Sequence, residues 1–144
     1  MRRIILASHG SLAEGMLSAV KMILGDHYCI HGYGLDKYET IQALLEAVQK
    51  EIDGASGDEI FVVCDIKSGS VHHAMIQLLK REEDIKIISG MNLGMVLELC
   101  TSQLNTRDPG ILQRILETGK NDIFFLDKAA IQSLKEGKEG DSLW

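Results

Sequence analysis

Short strand-like runs alternate along this chain with longer segments in which apolar residues recur at helical spacing, and this alternation constrains the fold most. The runs are too short for helices, and most of them are rich in β-branched residues; they lie at residues 4–7, 28–33, 60–64 and 85–88. Parallel strands need helical crossovers between them. We therefore predict an α/β fold with a doubly wound sheet of four parallel strands, order 2-1-3-4, and helices on both faces.

Capping residues predict where several of the helices begin and end. Ser11 and Glu14 have the spacing of a capping box at the start of the first helix, and Gly25 lies where that helix is expected to end. Thr40 is expected to open the second helix, and Asp108 with the proline after it a later one.

A last apolar run, IFFL at residues 123–126, follows the fourth alternation. We predict that it adds a short antiparallel C-terminal strand to a single domain spanning residues 1–144, with a tail from about residue 129. An edge strand that carried Phe124 and Phe125 would be prone to aggregate if it were left exposed. Pairing with a second copy would protect it, so a two-fold symmetric homodimer is expected. The alternative is a strand that folds back on its own sheet, which needs only a short connection.

Composition excludes several classes of function. The 144 residues carry a formal net charge of −6, whereas a protein that binds nucleic acid or a membrane surface needs a basic face. No apolar run approaches the roughly 18 residues of a membrane span. The three cysteines are widely spaced and lack a CxxC pair, which is typical of reduced thiols, so a cytoplasmic location is expected.

A histidine and an aspartate directly follow the first and third predicted strands. In a sheet of order 2-1-3-4, ligands bind beyond the carboxyl ends of these two strands. His9 and Asp65 are therefore expected to face each other there. A carboxylate that accepts a hydrogen bond from one imidazole nitrogen leaves the other nitrogen free as base, ligand or nucleophile.

The surroundings of this pair suit an anion. A helix is expected to begin near Ser11, and a small-residue loop precedes a further helix, so unpaired backbone N–H groups point toward the pair. We hypothesise that His9 carries a phosphoryl group and that Asp65 orients it. The residues expected around the phosphate are Gly10, Ser68, Gly69 and Ser70.

The same motifs resemble those of a known family. The opening strand ending in S-H-G, the V-C-D followed by a loop ending in Gly69 and Ser70, and the segment I-I-S-G-M-N-L are similar to the mannose/fructose/sorbose family of IIA domains. These domains belong to the bacterial phosphoenolpyruvate-dependent sugar phosphotransferase system. The resemblance extends over nearly the whole chain.

The resemblance implies a phosphotransferase without a cofactor or a metal. By it, His9 accepts a phosphoryl group on Nε2 from the phosphocarrier HPr and passes it to the IIB component, which serves the IIC/IID membrane permease. Asp65 holds Nδ1–H, and Ser70 supplies a hydroxyl at the phosphoryl group. The resemblance also implies that the last strand is exchanged between the subunits of a homodimer. A IIA domain does not contact sugar, so the sugar is not predicted.

Two departures from the family loop bear on the phosphate contacts. Ile66 and Lys67 stand where the family usually offers threonine and tryptophan. Lys67 is either a solvated loop residue or a partner for a phosphoryl oxygen. His72 and His73 are adjacent on a predicted helix, so they cannot share a face; both are expected at the surface unless one lines the cleft.

Other functions remain as alternatives. A phosphotransfer subunit that serves dihydroxyacetone kinases has the same fold but usually shows S-H-S and D-M-G-S-A motifs. A phosphohistidine phosphatase needs an arginine before its histidine, and this chain has Ser8 there. A purely regulatory domain is a third alternative. His27, Cys29 and His31 alternate along one segment, but no fourth zinc ligand is near, so no metal is expected.

Overall fold

The computed structural model describes residues 1–103 and 107–136 and confirms the predicted sheet. Four strands pair in parallel in the order β2-β1-β3-β4. Their bounds are β1 Arg2–Ser8, β2 Ile30–Gly34, β3 Glu59–Cys64 and β4 Ile85–Ser89.

Six α-helices lie among the described residues, and those with buried residues pack on both faces of the sheet. They are α1 Leu12–Leu24, α2 Ile41–Asp53, α3 Ser70–Ile76, α4 Leu93–Thr101, α5 Pro109–Asn121 and α6 Lys128–Lys135. One core is formed with α2 and α3, and the other with α1, α4 and α5. The fold is therefore doubly wound, as predicted. No described helix combines the length and the apolar character that crossing a membrane requires.

The two central strands are buried on both faces along residues 4–7 and 60–64, which explains why these runs are apolar. Along β1, Ile5 points into the core under α2 and α3, whereas Ile4 and Leu6 point into the opposite core. Along β3, Val62 likewise points into the core under α2 and α3, whereas Phe61 points into the opposite core. Each of these side chains is at most 2% exposed. Alternation with period two thus fills both cores.

Three of the predicted helix ends are confirmed. The Thr40 side chain accepts a hydrogen bond from the Ala43 N–H at 3.1 Å at the start of α2. Asp108 accepts one from the Gly110 N–H at 2.9 Å ahead of α5. Gly25 ends α1 with a φ of 82°, in the left-handed region that favours glycine.

The capping box predicted at the start of α1 is wrong. Ser11 occupies the N-cap position, but its φ of −102° and ψ of 19° are not the extended values that an N-cap side chain needs, and it makes no capping bond. The buried Ser8 hydroxyl instead accepts the Ala13 N–H at 2.7 Å. The Glu14 carboxylate accepts the Gly34 N–H at 3.0 Å and so ties α1 to the end of β2.

The predicted C-terminal strand is also absent from the described part of the chain. Residues 123–126 pair with no strand there, and the Ile123 N–H bonds back to the Lys120 carbonyl at 3.2 Å. Phe124 and Phe125 are 67% and 80% exposed. A strand needs a partner backbone, and the described chain offers this run none. Part of the predicted tail is helical, since α6 covers residues 128–135; residues 137–144 lie outside the described residues.

The unusual cap of α1 leads to a stability prediction. Replacing Ser8, which is fully buried, by alanine leaves the buried Ala13 N–H without an acceptor. Ser8→Ala should lower the free energy of unfolding by about 1–2 kcal/mol. Ser11→Ala is the matched control and should change it by less than about 0.5 kcal/mol. Urea unfolding followed by circular dichroism measures both, and equal losses would contradict the assignment of Ser8 as the cap.

Candidate active site

The pairing of the two central strands brings His9 and Asp65 together. Ala7 lies opposite Cys64 in the β1–β3 register, so both strands end at the same edge of the sheet. His9 Nδ1 is 2.8 Å from Asp65 Oδ2, and the His9 backbone N–H donates to the same oxygen at 2.8 Å. One carboxylate oxygen therefore holds both the ring and the main chain of the histidine.

Asp65 is held as a charged acceptor. Its side chain is only 9% exposed, and burial by itself raises the pKa of a carboxyl. The hydrogen bonds from the His9 N–H, the His9 ring and the Ile66 N–H outweigh burial, so the pKa of Asp65 lies below its ordinary value. An ionised carboxylate can only accept hydrogen bonds. His9 Nδ1 must therefore carry a proton.

This proton leaves Nε2 of the neutral His9 ring with a free lone pair. Ser70 Oγ lies 3.0 Å from Nε2, and its hydroxyl must be the donor in this contact. The His9 side chain is 45% exposed. The ring that carries this nitrogen is thus partly open to solvent.

The residues predicted around the phosphate lie in the segments that flank His9. A Cβ atom at Gly69 would lie 3.2 Å from His9 Cε1 and 2.8 Å from Ile66 Cγ2, so a glycine lets the loop approach the ring. Gly10 adopts a φ of 50° and has open space where a side chain would stand. Ser68 adopts a φ of 63°, and its N–H donates to His72 Nδ1 at 2.9 Å.

Other residues that the sequence analysis considered lie apart from this pair or at the surface. Lys67 and His73 are exposed. His31 contacts the partly buried Glu51, with His31 Nδ1 2.7 Å from Glu51 Oε1, and Glu51 also accepts from the Tyr33 hydroxyl. Among residues 1–103 and 107–136, no group of three or more histidines, cysteines and acidic residues could hold a metal ion.

Sequence reasoning missed two contacts near the site. One is the hydrogen bond by which Ser8 caps α1, and the other is the hydrogen bond from the Ser68 N–H to His72 Nδ1. The spacing of four residues between Ser68 and His72 is the signal that could have indicated the second, since polar side chains often bond to nearby backbone groups.

Comparison with known proteins identifies the family. The family described as "PTS system fructose IIA component" matches residues 3–116, a range that includes His9, Asp65 and the loop after it. The chain belongs to this family. As a IIA component of the phosphotransferase system, it is a member of a family of phosphotransfer proteins.

Individual relatives agree with this assignment. The sorbose-specific EIIA component of Lacticaseibacillus casei is 26% identical over 102 residues, which cover 71% of this chain and 74% of the relative. Its counterpart in Klebsiella pneumoniae is 28% identical over 99 residues, covering 69% and 73% of the two chains. The crystal structure of EIIA from Streptococcus agalactiae superposes with a TM-score of 0.78 at 23% identity. That match covers 87% of this IIA component and 97% of the other chain, and it shows that the fold is shared.

The low pKa of Asp65 leads to a prediction about stability and pH. A carboxyl whose pKa is lowered by folding stabilises the fold above its ordinary pKa of 3.8. This stabilisation is lost as the pH falls through the lower value of the folded state. At pH 7, the free energy of unfolding of Asp65→Asn should therefore lie about 1–3 kcal/mol below that of wild type. This difference in unfolding free energy should shrink below about pH 4.

Urea unfolding from pH 7 to pH 3 measures this difference. The control is Asp26→Asn, because Asp26 is 82% exposed and its ion pair with Lys21 is long, 3.6 Å between Nζ and Oδ1. The control should differ little from wild type throughout the range. A difference for Asp65→Asn that stays constant down to pH 3 would contradict the lowered pKa.

Proposed function

We propose that this IIA component is a phosphocarrier, in which His9 accepts a phosphoryl group from phospho-HPr and passes it to the IIB component during sugar uptake. One observation carries the proposal. The ionised Asp65 carboxylate, 2.8 Å from His9 Nδ1, leaves Nε2 of the His9 ring unprotonated and able to attack. The His9 side chain is 45% exposed, so a macromolecular donor can approach the ring.

The transfer step balances without a cofactor. The Nε2 lone pair of His9 attacks the phosphorus, and a new N–P bond forms as the N–P bond of the phosphohistidine donor breaks. The electron pair of the broken bond returns to the donor imidazole. Positive charge develops on the His9 ring, and the adjacent Asp65 carboxylate stabilises that charge through Nδ1–H. Transfer to IIB reverses these bond changes at a new acceptor.

Ser70 has a place in both states of the proposed cycle. In the free protein its hydroxyl donates to Nε2, 3.0 Å away. Once Nε2 is bonded to phosphorus, the same hydroxyl can donate to a phosphoryl oxygen. The backbone at Gly10, Ser68 and Gly69 borders the same space, so we assign these residues to the phosphate surroundings.

The transport role is favoured over service to a dihydroxyacetone kinase. Both curated relatives are described as sorbose-specific components of the phosphotransferase system. In addition, S-H-G replaces the S-H-S of the kinase-serving subunits. A phosphatase of the R-H-G type would need a cation before the histidine, whereas this chain has a buried serine, Ser8, which caps α1.

Phosphorylation in a reconstituted system tests the proposal. Incubation with phosphoenolpyruvate, enzyme I and HPr should add one acid-labile phosphoryl group per chain. His9→Ala should abolish the label, because it removes the imidazole nitrogen that the proposal assigns as the phosphoryl acceptor. His73→Ala is the control and should be labelled as wild type is, since His73 is an exposed residue of α3. Label that persists on His9→Ala would exclude His9 as the acceptor.

The exposed run at residues 123–126 supports a second proposal, a homodimer that forms through this segment. Ile123, Phe124 and Phe125 are each at least 67% exposed, which places an unusual amount of apolar surface in water. The backbone of the run also pairs with no strand in the described chain. Exchange or pairing of this segment with a second copy would cover both its side chains and its backbone.

Light scattering at micromolar concentration tests the dimer. Wild type should show twice the monomer mass, and the double variant Phe124→Ser, Phe125→Ser should show the monomer mass. Met22→Ser is the control because Met22 is an 88% exposed apolar residue of a different element, α1, and it should leave the dimer intact. A wild-type monomer, or a double variant that stays dimeric, would exclude this segment as the interface.

A further inference from the structure

The loop between β3 and α3 has an unusual backbone next to His9. Ser68 lies in the left-handed region, with a φ of 63°, and it is the only described non-glycine residue with a positive φ. Residues with a Cβ atom rarely adopt this conformation. The bond within the turn, from the Gly69 N–H to the Ile66 carbonyl, is long at 3.4 Å. The turn itself therefore does little to hold Ser68 in place.

The side chain of His72 supplies a stronger hold. His72 lies in the first turn of α3, and its Nδ1 atom is 2.9 Å from the Ser68 backbone nitrogen. A backbone N–H can only donate, so Nδ1 must be the acceptor and cannot carry a proton. The His72 ring in this contact is therefore neutral, with its proton on Nε2.

The position of Ser68 bears directly on the nucleophile. The next residue, Gly69, packs so closely on His9 that a Cβ would lie 3.2 Å from Cε1. The residue after it, Ser70, places its hydroxyl 3.0 Å from Nε2. Because these three residues are consecutive, a shift of Ser68 would move both contacts to the His9 ring.

We propose that His72 is a positioning residue for phosphoryl transfer, which holds Ser68 through Nδ1 and thereby keeps Gly69 and Ser70 against His9. This inference rests on the proposed function of His9. It goes beyond that function because His72 touches neither the reacting nitrogen nor the carboxylate.

The packing of α3 separates this role from a general structural one. The buried residues that anchor the helix to the core are Val71, Ala74 and Met75, whereas His72 is only partly buried. Loss of the His72 ring should therefore disturb the loop more than the helix. His73, the exposed neighbour on the same helix, provides a matched position for controls.

Two substitutions at His72 separate the effect of losing the hydrogen-bond acceptor from the effect of changing the side-chain volume. Asparagine carries Oδ1 on Cγ, as histidine carries Nδ1, so His72→Asn keeps an acceptor for the Ser68 N–H. His72→Leu fills similar space without an acceptor. At pH 8, His72→Leu should lower kcat for transfer from phospho-HPr by about 3- to 10-fold. KM should change by less than about 2-fold, because the donor-binding surface is kept.

The asparagine variant should recover most of the wild-type kcat. The controls are His73→Asn and His73→Leu, which make the same changes at the next residue. Both should transfer the phosphoryl group at the wild-type rate. If His72→Leu transfers at the wild-type rate, or if His72→Asn is as slow as His72→Leu, the positioning role is wrong.

A spectroscopic measurement tests the contact itself, whether or not transfer occurs. Nitrogen-15 NMR of the wild-type imidazoles at pH 8 should show His72 with Nδ1 unprotonated and Nε2 protonated. Hydrogen exchange at the Ser68 amide should become faster in His72→Leu and stay close to wild type in His72→Asn. A protonated Nδ1, or unchanged exchange in His72→Leu, would overturn the contact on which the inference depends.

The transfer assay also separates this inference from the proposed function, because wild type and His72→Leu test different claims. A wild-type chain that accepts no phosphoryl group from phospho-HPr would overturn the function of His9, and the role of His72 in transfer would fail with it. Wild-type phosphorylation with a fully active His72→Leu would instead overturn only the positioning role.

Discussion

The parallel pairing of β1 with β3 is the interaction on which the rest of this structure depends. These strands form the centre of the sheet, and their side chains fill the cores on both faces. Because the strands run in the same direction in this register, their carboxyl ends meet at one edge. His9 and Asp65 contact each other because each follows directly on one of these ends. The sheet thus sets the position of the site, and the loops add further contacts to it.

Electrostatics then decide what the pair can do. Burial of Asp65 opposes its charge, but the hydrogen bonds from His9 and Ile66 outweigh that cost and keep the carboxyl ionised. The same bonds orient the His9 ring and select the tautomer whose Nε2 is free. The contacts that keep Asp65 charged therefore also fix the orientation and the tautomer of the His9 ring.

Local sequence patterns predicted the elements better than they predicted the contacts between them. The caps at Thr40, Asp108 and Gly25 depend on residues within a few positions, and each was predicted correctly. At the start of α1 the same kind of pattern was misleading. Glu14 is drawn to the backbone of Gly34, and Ser8, buried at the end of β1, takes over the cap. A pattern of neighbours along the chain contains no information about such partners.

The alternation of strands and helices, the order of the sheet and the pair of polar residues at its edge could all be predicted from the sequence. These features follow from hydrophobic periodicity and from the general rules of parallel sheets. Three features became visible in the three-dimensional fold: Ser70 reaches Nε2, the Ser68–His72 spacing becomes an actual hydrogen bond, and residues 123–126 find no partner strand in the described chain. Each of these depends on loop conformation or on the presence of a pairing edge. The physical reason is that periodicity records which side chains avoid water, whereas a hydrogen bond requires two particular atoms to meet in space.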